Sequence, residues 1–393
     1  MTLPNGWRRT TLGDLGRYLN GRAFKRAEWR DEGRPIVRIQ NLTGSSDTFN
    51  YFQGEADDRH VVRPGDLLVS WAATLGAYLW DGPEAVLNQH IFKVESRIDK
   101  RFHKYLLDHK LDELKRHTHG SGMVHITRRA FDSLPVHVPD LGEQRRIVAV
   151  LEDHLSRLNA ADAYARSATQ RLANVGRSAL DRLFGGQDVP LAGLIDDISA
   201  GKSYGAASAP AADDEWGIIK VSAMTWGKFD PAENKAVPGD LADPRFEIRE
   251  GDLLVSRANT NEYVGASVLV GPVRPRLLLS DKSLRVSPAD GVRPDWLWRA
   301  LQAPSARRQI SALATGTKDS MRNISQASLM QVRVPRATPQ EQAAAVSAYA
   351  EIAAAVDRFR TELDSAHRRS AGLGRSLLAA AFSGQLTDEM APA

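Results

Sequence analysis

Residues 140–184 read DLGEQRRIVAVLEDHLSRLNAADAYARSATQRLANVGRSALDRLF. Apolar or small side chains recur at Ile147, Leu151, Leu158, Ala161, Ala165, Ala168, Leu172, Val175, Ala179 and Leu183, with His154 the polar exception. Alternating steps of three and four predict a heptad seam. A helix of about 43 residues at ~1.5 Å each is roughly 64 Å long, more than one ordinary core can bury. It requires a partner helix.

Residues 338–382 supply one. Each seam position moved forward by 198 gives Ala345, Tyr349, Ile352, Val356, Phe359, Leu363, Ala366, Leu373, Leu377 and Ala381, with Ser370 polar and Ile352 answering His154. Gly176-Arg177-Ser178 returns as Gly374-Arg375-Ser376, and Phe184 as Phe382. Asp140 three residues before Glu143, and Thr338-Pro339 before Glu341, are capping-box starts. Gly185-Gly186 and Gly384 are stops.

The 393 residues, 42% of them apolar, predict two or three globular domains. Cysteine is absent, which excludes disulfides, thiolate nucleophiles and cysteine-held metals. No leader pattern precedes Trp7 and no run has the length of a membrane span, so the cytoplasm is the expected location and no membrane partner is expected. Net charge is only +4. The densest basic segment runs from Arg17 to Arg38.

Ahead of the first long helix, Pro35–Leu42 and Ala85–Val94 read as strands, Arg63-Pro-Gly-Asp-Leu-Leu-Val-Ser70 as a turn feeding a buried strand, and Phe102–Arg116 as a helix. A Gly120-Ser-Gly122 loop and the strand-like Leu134–Pro139 follow. After Gly186 the order repeats. Arg249-Glu-Gly-Asp-Leu-Leu-Val-Ser256 differs from the first copy by one residue, Pro294–Ile310 answers the helix at Phe102, and Met321-Arg-Asn-Ile-Ser325 answers Met123-Val-His-Ile-Thr127. Between these strings residues 21–34 and 201–217 share no side-chain pattern, nor do 70–90 and 256–282. A duplicated scaffold with unlike loops points to two binding sites of one kind with different targets.

No catalytic constellation accompanies the repeat. Gly201-Lys202-Ser203 has Asp196 where a phosphate loop needs glycine. A dinucleotide fingerprint, a nucleophile elbow, a zinc-protease helix, an Asn/Asp-Pro-Pro-aromatic methylation site and a two-acid, one-lysine nuclease cluster are all missing. His103, His109, His117, His119 and His125 do not fall on one helical face and are expected to be solvated, not metal ligands. Neither catalytic nor metal-binding residues are assigned.

The paired Arg-x-Gly-Asp-Leu-Leu-Val-Ser strings, the Gly-rich loop before Met-x-x-Ile-Thr/Ser, and Val-x-Val-Pro leading to Glu143-Gln144 or Glu341-Gln342 resemble the specificity subunit of type I restriction-modification systems. This resemblance implies an α+β chain with a pseudo-two-fold internal repeat: two similar mixed α/β target recognition domains, separated by two long helices forming an antiparallel coiled coil. The expected divisions are 1–139 and 187–337 for the domains, 140–186 and 338–384 for the helices, and 385–393 for a tail. It also implies no catalysis by the chain itself. Expected partners are double-stranded DNA, two adenine methyltransferase subunits that would carry S-adenosylmethionine, and restriction (nuclease/translocase) subunits joining that core. No cofactor is expected on this chain. Each domain would read one half of a bipartite, asymmetric site, with the helices setting the spacer.

Phosphate contacts should come from Arg and Lys, and base reading from forked side chains. Loop position and chemistry nominate Arg22, Lys25, Arg26, Arg38, Asn41, Trp71, Thr74, Asn88, Gln89 and His90 in the first half. In the second they nominate Lys202, Tyr204, Lys220, Arg257, Asn259, Asn261, Lys282, Lys318, Arg322 and Asn323. Ile147, Leu151, Leu158, Leu172, Val175, Ile352, Val356, Phe359, Leu363 and Leu373 are the expected helix-pair core. Two alternatives stay open: a coiled-coil scaffold whose duplicated domains bind protein or carbohydrate, and a stand-alone nucleic-acid methyltransferase.

Overall fold

The computed structural model describes residues 6–72, 74–117, 128–205, 209–225, 227–318 and 321–388, without the side chains of 112–117, 317–318 and 387–388. The chain divides into two compact units, residues 1–165 with 365–393, and residues 166–364. Each holds a mixed α/β domain and a part of both long helices.

In the first unit one four-stranded sheet has the order Gly16–Asn20, Ile91–Ser96, Leu67–Ser70, Gly76–Leu79; a second has the order Asn50–Phe52, Arg34–Val37, Ala85–Leu87, Val61–Val62. The second unit repeats the first of these as Ile195–Ala200, Ser283–Pro288, Leu253–Ser256, Ser267–Leu269, and the other as Asn234–Ala236, Gly217–Ile219, Leu277–Leu278. All named pairs are antiparallel except Arg34–Val37 with Ala85–Leu87 and Gly217–Ile219 with Leu277–Leu278. A third sheet in the second unit joins Ala258–Asn259, Met321–Asn323 and Thr315–Lys318.

The duplicated octapeptide is framework. Gly65 and Gly251 turn at φ +85° and +90°, where a side chain would be strained. Asp66 and Asp252 then accept the backbone N–H of Arg63 at 3.0 Å and Arg249 at 2.9 Å. The same carboxylates ion-pair with Lys93 at 3.5 Å and Arg285 at 2.9 Å. The following Leu-Leu-Val-Ser strands are fully buried, so neither face alternates.

Three local readings need correction. The strand at Pro35 ends at Val37, and a short helix, Ile39–Leu42, follows because the Asn41 Oδ1 accepts the Arg38 N–H at 3.0 Å. Ala85–Val94 is two strands parted by residues 88–90. The first domain's helix, Lys100–His117, is answered by two, Pro294–Gln302 and Pro304–Leu313, because Pro304 has no N–H to continue the first.

The long helices are Leu141–Phe184 and Pro339–Phe382. Their starts are capped: Asp140 accepts the Glu143 N–H at 2.9 Å, and Glu341 accepts the Thr338 N–H at 2.8 Å. In the first unit Ile147, Val148 and Leu151 share a core with Leu377, Leu378, Ala381 and Phe382. Asp162 meets His367 at 3.4 Å, and seven residues back Leu155 lies against Gly374, seven residues on; that order is antiparallel. In the second unit Phe184, Leu180 and Leu183 pack with Ala345, Val346 and Tyr349, again end to start.

The seam departs from the heptad at repeated places. Val175 and Leu373 are 50% and 60% exposed, and the glycines that follow them, Gly176 and Gly374, are half-buried. Phe359 is 56% exposed, and its counterpart Ala161 is exposed too. A 3.6-residue helix drifts ~20° per heptad against a 3.5 repeat, which carries these positions off the contact face. Ile147 and Leu151 are fully buried, whereas Leu158, Leu172, Ile352, Val356 and Leu363 are half-buried.

Candidate nucleic-acid interface

Residues 21–34 and 201–217 look unrelated in sequence, yet their first four residues share a device. Gly21 and Gly201 pass so near the neighbouring strand that a Cβ would fall 2.1 Å from the Asn88 carbonyl oxygen or 2.2 Å from that of Leu279. Only glycine fits. Each is followed by a cation and, two residues on, an aromatic ring: Arg22 lies 4.8 Å over Phe24 and Lys202 lies 5.4 Å over Tyr204. Arg22 and Lys202 also bridge to Asn88 and Ser280 in the same parallel sense. The shared signal, Gly-[Arg/Lys]-x-[Phe/Tyr], is too short to be found without the fold.

In the first unit Arg22 ion-pairs with Glu28 and also covers Phe52 at 5.0 Å. Arg38 lies 4.3 Å over Trp29 and donates to Asn50, while Arg26 covers Trp29 at 5.9 Å. Trp71 stacks on Phe92 at 5.7 Å and meets His90 edge-on at 5.5 Å; Gln89 and His90 touch at 3.1 Å and are exposed. Among the described residues the buried Nε1 atoms of Trp29 and Trp71 have no hydrogen-bond partner. Lys25 and Thr74 are exposed and Asn88 is half-buried. Asn41 is the exception: its side chain serves the local loop, taking the Arg38 N–H and donating to Ser46 at 3.2 Å and Thr48 at 2.9 Å.

In the second unit Arg257, Asn259, Lys282 and Asn323 line one concavity of about 400 Å³ with Val221, Ala258, Asp281 and Met321. Lys282 is brought there because its carbonyl accepts the Arg257 N–H at 2.8 Å, as that of His90 accepts the Trp71 N–H at 3.3 Å in the first unit. Arg322 turns its guanidinium back to the carbonyls of Ala314 and Gly316 and braces the sheet. Lys220 ion-pairs with Glu233 at 3.5 Å, outside this group. Beside Tyr204, hydrogen bonds from Arg245 push the Asp243 carboxyl down to about 2, so an ionised acid stands near Lys202. Asn261 is exposed. Met321 was not among the nominees, because a lone methionine carries no binding signal until its exposure, 62%, is known.

The Lys318 side chain, the Gly120–Gly122 loop, Met123–Thr127, His119, His125 and the His117 side chain lie outside the described residues. His103, expected to be solvated, is instead fully buried: Tyr18 Oη is 2.8 Å from its Nε2 and Ser96 Oγ 2.8 Å from its Nδ1. Burial pushes its pKa down to about 4. His109 stacks on Phe382 at 5.4 Å. Among the described residues no group of three His, Asp or Glu could hold a metal, and no helix is long and apolar enough to cross a membrane.

A structure described as the basis of complex assembly and conformational transition of the type I R-M system superposes with a TM-score of 0.75. It is 19% identical and covers 98% of this chain and 100% of that one. The HsdS subunit from Thermoanaerobacter tengcongensis superposes at 0.54, also 19% identical, covering 98% and 99%. The fold is therefore that of the specificity-subunit class. Residues 4–163 match the type I restriction modification DNA specificity domain. Over 425 residues the chain is 24% identical to the type I restriction enzyme EcoBI specificity subunit of Escherichia coli, covering 98% of this chain and 88% of that protein. To the EcoKI specificity subunit of Escherichia coli K12 it is 22% identical over 426 residues, covering 98% and 90%. Along nearly its whole length the chain is similar to type I restriction-modification specificity subunits.

Proposed function

We propose that this chain is the non-catalytic DNA-reading subunit of a type I restriction-modification complex, residues 1–139 and 187–337 each reading one half of a bipartite, asymmetric duplex site. The observation that carries the proposal is the repeated cradle at Gly21-Arg22 and Gly201-Lys202, one backbone device presenting different side chains. In each copy a cation lies over an aromatic ring, a group of the kind that contacts phosphates. The helices 140–186 and 338–384 set the spacer and dock two adenine methyltransferase subunits. Those subunits carry S-adenosylmethionine, and restriction subunits join the assembled core.

Selection of random duplexes by the chain together with its methyltransferase tests this. The expected result is one split site with unlike halves and affinity falling steeply with salt, as phosphate neutralisation requires. A protein- or carbohydrate-binding scaffold is favoured by the internal pairing of Arg22 with Glu28 and Lys220 with Glu233, which spends cations on the fold. Salt-independent, sequence-blind behaviour would establish that rival.

A further inference from the structure

In the second unit the strand Met321–Asn323 is laid against Ala258–Asn259, with Asn323 opposite Ala258 and Arg322 opposite Asn259. Successive side chains of a strand point to opposite faces. Arg322 accordingly turns to the carbonyls behind it, while Met321 and Asn323 both line the concavity with Arg257, Asn259 and Lys282. Arg322 thus fixes the strand from behind. The Ile324 N–H, donating to the Arg257 carbonyl at 2.9 Å, fixes its far end.

The lining has the donor and acceptor chemistry that a base edge would need. Asn and Arg match the acceptor and donor edges of adenine and guanine in the major groove, and an acid such as Asp281 accepts from cytosine but repels a phosphate. Three apolar side chains stand among these groups: Val221 and Ala258 are half-buried, and Met321 is 62% exposed. Water is a poor partner for a thioether, and the apolar feature of a major-groove base edge is the thymine 5-methyl group. Residues two apart on a strand are about 6.6 Å apart, close to two base-pair steps of ~3.4 Å.

Resting on the DNA-reading function above, we propose that Met321 is a specificity-determining residue that packs on a thymine 5-methyl group, two base steps from the base pair met by Asn323. Thymine and uracil differ only in that methyl, which gives a direct test. A duplex selected by the full chain with its methyltransferase is resynthesised with deoxyuridine in place of each thymine in turn, and binding is measured for the wild type, Met321→Ala and Met321→Leu. The expected result is one position where deoxyuridine weakens wild-type binding about fourfold, the worth of one buried methyl. That loss persists in Met321→Leu and vanishes in Met321→Ala, whose melting temperature is unchanged because the side chain is exposed. A wild type indifferent to deoxyuridine everywhere, or a sensitivity that survives in Met321→Ala, overturns the proposal. Failure to select any sequence overturns the DNA-reading function itself.

Discussion

Gln144 accepts the backbone N–H of Asp99 through its Oε1 at 2.9 Å, and its Nε2 donates to the Pro139 carbonyl at 2.9 Å. The side chain is buried, so these bonds tie the first turn of the long helix to the start of the domain's helix without competition from water. Gln342 repeats the arrangement, accepting from Arg293 at 2.8 Å and donating to Ala337 at 2.9 Å and Gly291 at 3.2 Å. Domain and helix are thereby held at a set angle in each unit.

Replacing Gln144 by Ala leaves the half-buried Asp99 N–H and the buried Pro139 carbonyl without this partner. The expected loss is about 1–3 kcal/mol for a stranded group. Urea unfolding of Gln144→Ala beside the exposed-site control Gln89→Ala checks this. Equal midpoints would show that the clamp contributes nothing.

His103 makes the first domain sensitive to acid. Its folded pKa, about 4, lies below the ordinary value near 6.5 because burial disfavours the charged ring. The unfolded state therefore binds the proton more readily. Stability from this group is complete above pH 6.5 and falls between 6.5 and 4, on the order of 1.4 kcal/mol per pH unit and roughly 3 kcal/mol in all. Stability measured from pH 7 to 4.5 should fall less steeply in His103→Gln than in the wild type. A wild-type slope unchanged by the substitution would contradict this origin.

The exposed and buried halves of the seam should separate cleanly. Leu151, fully buried, should cost about 2–5 kcal/mol when cut to Ala. Phe359→Ala, at a largely exposed position, should stay within roughly 0.5–1 kcal/mol. Thermal unfolding of the two variants decides it, and a Phe359 cost equal to that of Leu151 would restore the strict heptad.

Much of this architecture was legible because period and repetition are global signals. Two stretches of matching phase fixed the long helices within a residue or two, and the Arg-x-Gly-Asp strings fixed a turn and a buried strand in each domain. What sequence did not disclose depends on distances. Val175 and Leu373 satisfy the heptad but face outward, since drift accumulates along a straight helix. Asn41 and Arg322 have base-reading chemistry, yet the backbone around them uses it. His103 looked solvated because one of its partners, Tyr18, comes from a strand far away in the sequence, and the other, Ser96, is brought to it by the turn into its helix. The cradle at Gly21 and Gly201 is visible only once the carbonyls above those glycines are placed.

The proposed function requires the helix pair to set the spacing at which two unlike readers meet one duplex. Seven residues inserted in each long helix at the facing positions beside Asp162 and His367 keep the seam in phase and lengthen each helix by about 10 Å, close to three base pairs. Methylome sequencing of cells carrying this variant and its methyltransferase should show both half-sites unchanged and the spacer longer by about three base pairs. Methylation at the original spacing would contradict the account.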